Sequence, residues 1–106
     1  MLKRIVKKIR VRSTSEEKLS LVNAYNEQCF FVHNGPVLSN LRDLLRAFSH
    51  MTEAQFNHHV TSERNDFVLW IKKILQDGEC AEAVGKADTI KKAASAVSRR
   101  LKEYRD

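Results

Sequence analysis

The feature that most constrains this chain is a series of short apolar stripes at helical spacing, each cut off by its own start or stop signal. Leu41, Leu44, Leu45 and Phe48 share one face, with Arg42, Asp43 and Arg46 outside it and Ser39 in position to cap. This helix is expected to end near His50. Thr52 and Gln55 have capping-box spacing, and Met51 and Phe56 occupy the staple positions, which predicts a helix from Glu53 to about Val60. Thr61-Ser62 breaks that run. Phe67, Trp70, Ile71, Ile74 and Leu75 then line one side of a helix expected to stop at Asp77-Gly78, with Gly78 as the terminator. Glu79 to Val84 gives one or two turns, closed by Gly85. Asp88 is expected to cap a last helix with the stripe Ile90, Ala93, Ala94, Val97, Leu101 and Tyr104. Helices this short are marginal alone and must bury their stripes against one another. The fold class is therefore mainly α, a compact bundle of about five helices.

Two further segments complete the expectation. Ser13 and Glu16 have capping-box spacing, and Leu19, Val22 and Tyr25 recur behind them, predicting a helix from about Thr14 to Glu27. Cys29-Phe30-Phe31-Val32-His33 is aromatic and β-branched, and Asn34-Gly35 after it is a turn signal. Pro36 cannot donate to a ladder, so the second strand, Val37-Leu38, is short or at an edge. One small β-hairpin is the only strand signal in the globular part.

Charge divides the chain where hydropathy does not. Met1 to Arg12 carries Lys3, Arg4, Lys7, Lys8, Arg10 and Arg12 and no acid, whereas the rest balances thirteen Lys or Arg against thirteen Asp or Glu. The formal +6 thus belongs to a basic N-terminal arm, residues 1–12, and residues 13–106 read as one helical domain. A local cationic segment calls for an anionic partner. The arm also has an apolar face, Leu2, Ile5, Val6 and Ile9, which reads as a helix; from Ile9 to Arg12 the alternation reads as a strand.

Four uses of the arm follow. It can contact nucleic-acid phosphates, with Arg99, Arg100 and Lys102 of the last helix as secondary contacts. It can dock its apolar face on a protein partner or a second copy. It can lie on an anionic membrane. Or it can pack on its own domain and show a solvated charged face. The first is preferred, because basic tails commonly serve polyanions.

The segment from His58 to Ile71 holds an acid, a base and an amide at a helix start. Caps and short-range pairs among Glu63, Arg64, Asn65 and Asp66 explain these residue types better than an anion site does. The same stretch carries a resemblance. The aromatic strand, Asn34-Gly35, Leu41 to Phe48, Phe56 with His59, and Arg64-Asn65-Asp66-Phe67 with Trp70-Ile71 resemble a short, mostly helical domain of unknown function found in archaeal and bacterial proteins. The resemblance spans roughly residues 30–104. It implies a fold type, no activity, and an arm that is an addition to the domain.

Chemistry finds little footing. Cys29 and His33 lie far apart along a strand, adjacent His58 and His59 diverge on a helix, and no paired metal-ligand spacing occurs, so no metal or other cofactor is expected. No glycine-rich phosphate loop and no motif placing a nucleophile with its base is present, so no enzyme and no small-molecule substrate are expected. Charges interrupt every apolar run before a secretory core or a span of roughly 20 residues forms. The cytoplasm is the expected compartment, with Cys29 and Cys80 reduced. The sequence therefore predicts a small non-enzymatic binding module.

Overall fold

The structure, a computed structural model, describes residues 18–105. The arm, its expected phosphate contacts Lys3, Arg4, Lys7, Lys8, Arg10 and Arg12, its apolar face Leu2, Ile5, Val6 and Ile9, and the Ser13–Glu16 capping box lie outside the described residues.

Five α-helices and one hairpin make up the described residues. Strands β1 (Phe30–Phe31) and β2 (Val37–Leu38) pair antiparallel, Phe30 opposite Leu38 and Phe31 opposite Val37. Helices α1 (Leu41–Phe48), α2 (Glu53–His59), α3 (Asp66–Lys73), α4 (Gly78–Gly85) and α5 (Ile90–Leu101) follow. Helix α4 packs between α3 and α5, and α5 also packs on α1. No helix among the described residues is long and apolar enough to cross a membrane.

The helix starts follow local side-chain chemistry. Thr52 and Gln55 form the predicted capping box at α2. Two caps fall one residue later than expected. Asn40, not Ser39, caps α1: its Oδ1 accepts from the Asp43 N–H, and Asp43 in return accepts from the Ser39 N–H. Thr89, not Asp88, caps α5 by accepting from the Lys92 N–H, while Asp88 reaches the Lys92 ammonium at 3.2 Å.

Gly78 does not stop α3; it is the first residue of α4, which Asp77 caps. The reversal sits at Gln76, whose φ of 60° is left-handed. The Asp77 N–H then bonds back to the Ile71 carbonyl at 3.1 Å, closing the helix as a glycine normally would.

The helix expected from Thr14 to Glu27 is corrected where it is described. Residues 18–25 contain no α-helix, and only Asn26–Gln28 forms a single 3-10 turn. The backbone there is taken up by tertiary partners. The Leu19 N–H donates to the Glu103 carbonyl, the Arg105 N–H donates to the Leu19 carbonyl, and the Ala24 N–H donates to the Ser39 carbonyl at 2.7 Å. The stripe that suggested a helix points to solvent: Leu19, Val22 and Tyr25 are exposed, and Ala24 is buried instead.

An aromatic cluster holds the hairpin to the helices. Phe67 is fully buried; it stacks on Phe30 with ring centroids 4.8 Å apart and meets Phe48 at 5.2 Å. Trp70 buries its ring beside Phe30 and donates its indole N–H to the Gln28 carbonyl at 2.8 Å. Each such ring contributes roughly 2–3 kcal/mol by leaving water. At the tip, a Cβ on Gly35 would stand 2.9 Å from a Val32 methyl and 3.0 Å from the Gln55 amide, so the close approach requires glycine.

Candidate functional site

Helix α5 sorts its side chains by angle. At 100° per residue, Lys91, Lys92, Ser95, Ser98, Arg99 and Lys102 fall within one arc, and all six are exposed. Ala93, Ala96, Val97 and Tyr104 fall on the opposite side and are buried. No acid occurs from Ile90 to Lys102, so the exposed arc is a cationic strip about 16 Å long at 1.5 Å per residue. Its borders carry acids: Glu79 and Glu82 of α4 share a groove with Lys92 and Arg99, and Glu103 follows the helix.

The segment at Leu19 sets where the rest of the chain attaches. Leu19 pairs in parallel with Tyr104 and lies between Glu103 and Arg105. Lys18 is exposed there, its carbonyl accepting from the Arg105 guanidinium at 3.3 Å. Lys18, the first described residue, therefore lies beside the end of α5, close in sequence to Arg99, Lys102 and Arg105.

The structure separates the three α5 residues expected to touch phosphate. Arg99 and Lys102 lie on the exposed strip. Arg100 belongs to the inward face, with a side chain 19% exposed. Its Nε donates to both oxygens of Asp77, at 2.9 and 3.2 Å. Its Nη1 lies 3.5 Å from Glu79. The sequence held the signal: Arg100 is three residues after Val97 and four before Tyr104, in register with the core stripe.

Asp77 is the hub of this cluster. It is buried, accepts from the Tyr104 hydroxyl at 2.6 Å, and caps α4 through the Cys80 N–H at 3.0 Å. Burial alone would raise its carboxyl. The hydrogen bonds from Arg100, Tyr104 and the Cys80 N–H, together with the Arg100 charge, outweigh burial and hold it below the ordinary carboxylate value. The Arg100 guanidinium is raised in return, first by that hydrogen bond. Tyr104 is raised by burial and then by its bond to Asp77. Burial, and then the Asp77 charge, push the Cys80 thiol up to about 12, leaving it protonated and unreactive near neutral pH.

A second polar cluster occupies the start of α3. Asn65 caps the helix, accepting from the Phe67 and Val68 N–H groups. Arg64 donates to Asp66 at 3.0 Å and to the His58 carbonyl at 2.9 Å. Buried His59 bonds Asp66 through Nδ1 at 3.0 Å and accepts the His33 N–H through Nε2 at 2.9 Å. These residues serve caps and pairs, as their types suggested. Sequence reasoning missed the reach of His59 to the hairpin, a contact across twenty-six positions that no local spacing encodes.

Cys29 and His33 do not meet. The Cys29 thiol lies 3.6 Å from the Ala24 carbonyl and 3.7 Å from the Ser39 hydroxyl, whereas the His33 ring stacks on His58. Among the described residues no group of three or more His, Cys, Asp or Glu is placed to hold a metal. A cleft of about 430 Å³ lies between the hairpin and the α1–α2 corner, lined by Val32, Pro36, Leu38, Ala47 and Met51, with Arg46 and His50 also in its wall. No protein-family model, curated protein or solved structure matches this chain.

Proposed function

We propose that this chain is a non-catalytic, polyanion-binding module that grips the phosphates of RNA or DNA with its cationic arm and the outer strip of α5. The contacts are Lys3, Arg4, Lys7, Lys8, Arg10 and Arg12 on the arm, with Lys91, Lys92, Arg99 and Lys102 on the helix. The observation that carries the reading is the Leu19–Tyr104 pairing. It brings Leu19, seven residues after the arm that holds the chain's net charge, beside the basic end of a helix with no acid among its residues. Two cationic segments joined this way can neutralise neighbouring phosphates and release their counterions together. Such contacts fix position on the backbone and carry no base sequence. Arg100 is left out of the contact set because its Nε serves Asp77.

A second reading rests on a different observation. Leu19, Val22 and Tyr25 are exposed on the segment that continues the arm, Tyr25 at 70%. With Leu2, Ile5, Val6 and Ile9 they would form a surface for a protein partner or a second copy. One titration separates the readings. The full chain and a chain lacking residues 1–12 are titrated with duplex DNA, structured RNA and anionic vesicles across a salt series. The proposal expects nucleic-acid binding that weakens steeply with salt and is largely lost on truncation. Equal binding by both chains contradicts a role for the arm. Self-association or protein capture without nucleic-acid binding favours the second reading.

A further inference from the structure

The hairpin tip is held by an unusual number of imidazoles. His33 on the tip stacks on His58 of α2, with ring centroids 3.9 Å apart and planes 7° from parallel. His59, the next residue, lies 5.0 Å from His58. Its Nε2 accepts the backbone N–H of His33, so the ring is neutral with its proton on Nδ1, donated to Asp66. Gln55 completes the attachment, its amide donating to the carbonyls of His33 and Asn34 at 3.0 and 3.2 Å.

Little negative charge faces this cluster. Arg64, from the loop before α3, and Asp66, at its start, bond each other. Phe30 and Phe67 flank His59 and offer no acceptor. Beyond the tip, Asp43 and Arg46 of α1 and His50 after it line the cleft, and Asp43 bonds Arg46 at 3.2 Å. His59 and Arg64 both bond the Asp66 carboxylate.

We propose that this cluster is a proton-operated latch: protonation of His33, His58 and His59 releases the tip, residues 33–36, from α2 and widens the cleft that the tip encloses. A proton on His59 Nε2 sets two N–H donors against each other and breaks the bond to His33. Protonation of the stacked pair places like charges face to face. Asn34, Gly35 and Pro36 wall the cleft, and Met51 lines it from the α1–α2 corner, so loss of the latch exposes an apolar surface. Exposed His58 is held below the ordinary imidazole value, first by desolvation, then by the charges of His33, His59 and Arg64, with Asp66 opposing.

The test is hydrogen exchange on the full chain, followed by NMR between about pH 7.5 and about pH 5, the range over which histidine changes charge. The amides of His33 and Gly35 should lose about tenfold in protection relative to Ala93 and Val97 of α5, and the Met51 methyl resonance should shift with the same midpoint. In His59→Gln the amide can keep both hydrogen bonds without titrating, and the loss should shrink to about threefold or less. If that variant does not fold, the exposed double variant His33→Gln/His58→Gln, which removes the stacked pair and leaves His59 to titrate, should show a smaller loss than the native chain. Unchanged protection, an equal loss in α5, or an undiminished response in the folded variant overturns the latch.

Discussion

Two side chains, Asp77 and His59, are the buried polar anchors among the described residues, and they solve the same problem in opposite ways. Each ties a turn to a helix distant in sequence. Asp77 does so as an ion, with Arg100, Tyr104 and a helix-capping N–H filling its acceptor sites. His59 does so as a neutral ring that donates on one side and accepts on the other. The difference shows that satisfying a buried group does not by itself fix its response to conditions. A charge matched by a charge is deaf to pH near neutrality, whereas a neutral donor–acceptor pattern holds only while one protonation state lasts.

Removing the charged anchor has the largest expected effect. Asp77→Ala leaves Arg100 partly buried without its acceptor and uncaps α4, so it should cost about 3–5 kcal/mol in urea denaturation. His59→Ala removes a buried ring and strands the His33 N–H, with an expected loss of about 2–3 kcal/mol. Tyr104→Phe deletes one hydrogen bond to a charged acceptor and should cost about 1.5 kcal/mol. A result reversing the order of Asp77 and His59 would show that the neutral anchor, not the ion, dominates.

The pH profile of stability sharpens the contrast and is the smallest effect. His58 sits below its ordinary value of 6.5, so the unfolded chain takes up the proton first. Stability should decline as pH falls through that value and level off once the folded ring also protonates. Asp77 sits below its ordinary 3.8. Its contribution is complete above that value and lost as pH falls toward the folded one. Equilibrium unfolding at a series of pH values should therefore show a larger decline below 3.8 than below 6.5, because solvent screens exposed His58, and a larger decline near 6.5 would contradict this ranking.

How legible this was in the sequence depends on the range of the forces. The helices from Leu41 onward were readable because caps and stripes act within a few residues. Thr52–Gln55 formed as expected, and Asn40 and Thr89 displaced their neighbours by one position without changing the helices. The stretch from Leu19 to Tyr25 was not readable. Its stripe mimics a helix, but its backbone bonds to Glu103, Arg105 and Ser39, partners that no local pattern reveals. Gln76 took a left-handed turn usually given to glycine because the Asp77 cluster fixes the next residue. In the candidate site, the exposed strip of α5 was legible from periodicity, and the same periodicity places Arg100 inside. The position of Leu19 beside the end of that strip required the tertiary structure.

The arm and the outer strip of α5 are proposed to act as one phosphate-binding surface. The most direct measurement is the slope of log affinity against log salt for duplex DNA or structured RNA, comparing the native chain with Arg99→Gln/Lys102→Gln. Each lost phosphate contact should reduce the slope by roughly one, so the double variant should be shallower by about two. An unchanged slope in a folded variant would contradict the claim and leave the helix strip without a part in binding.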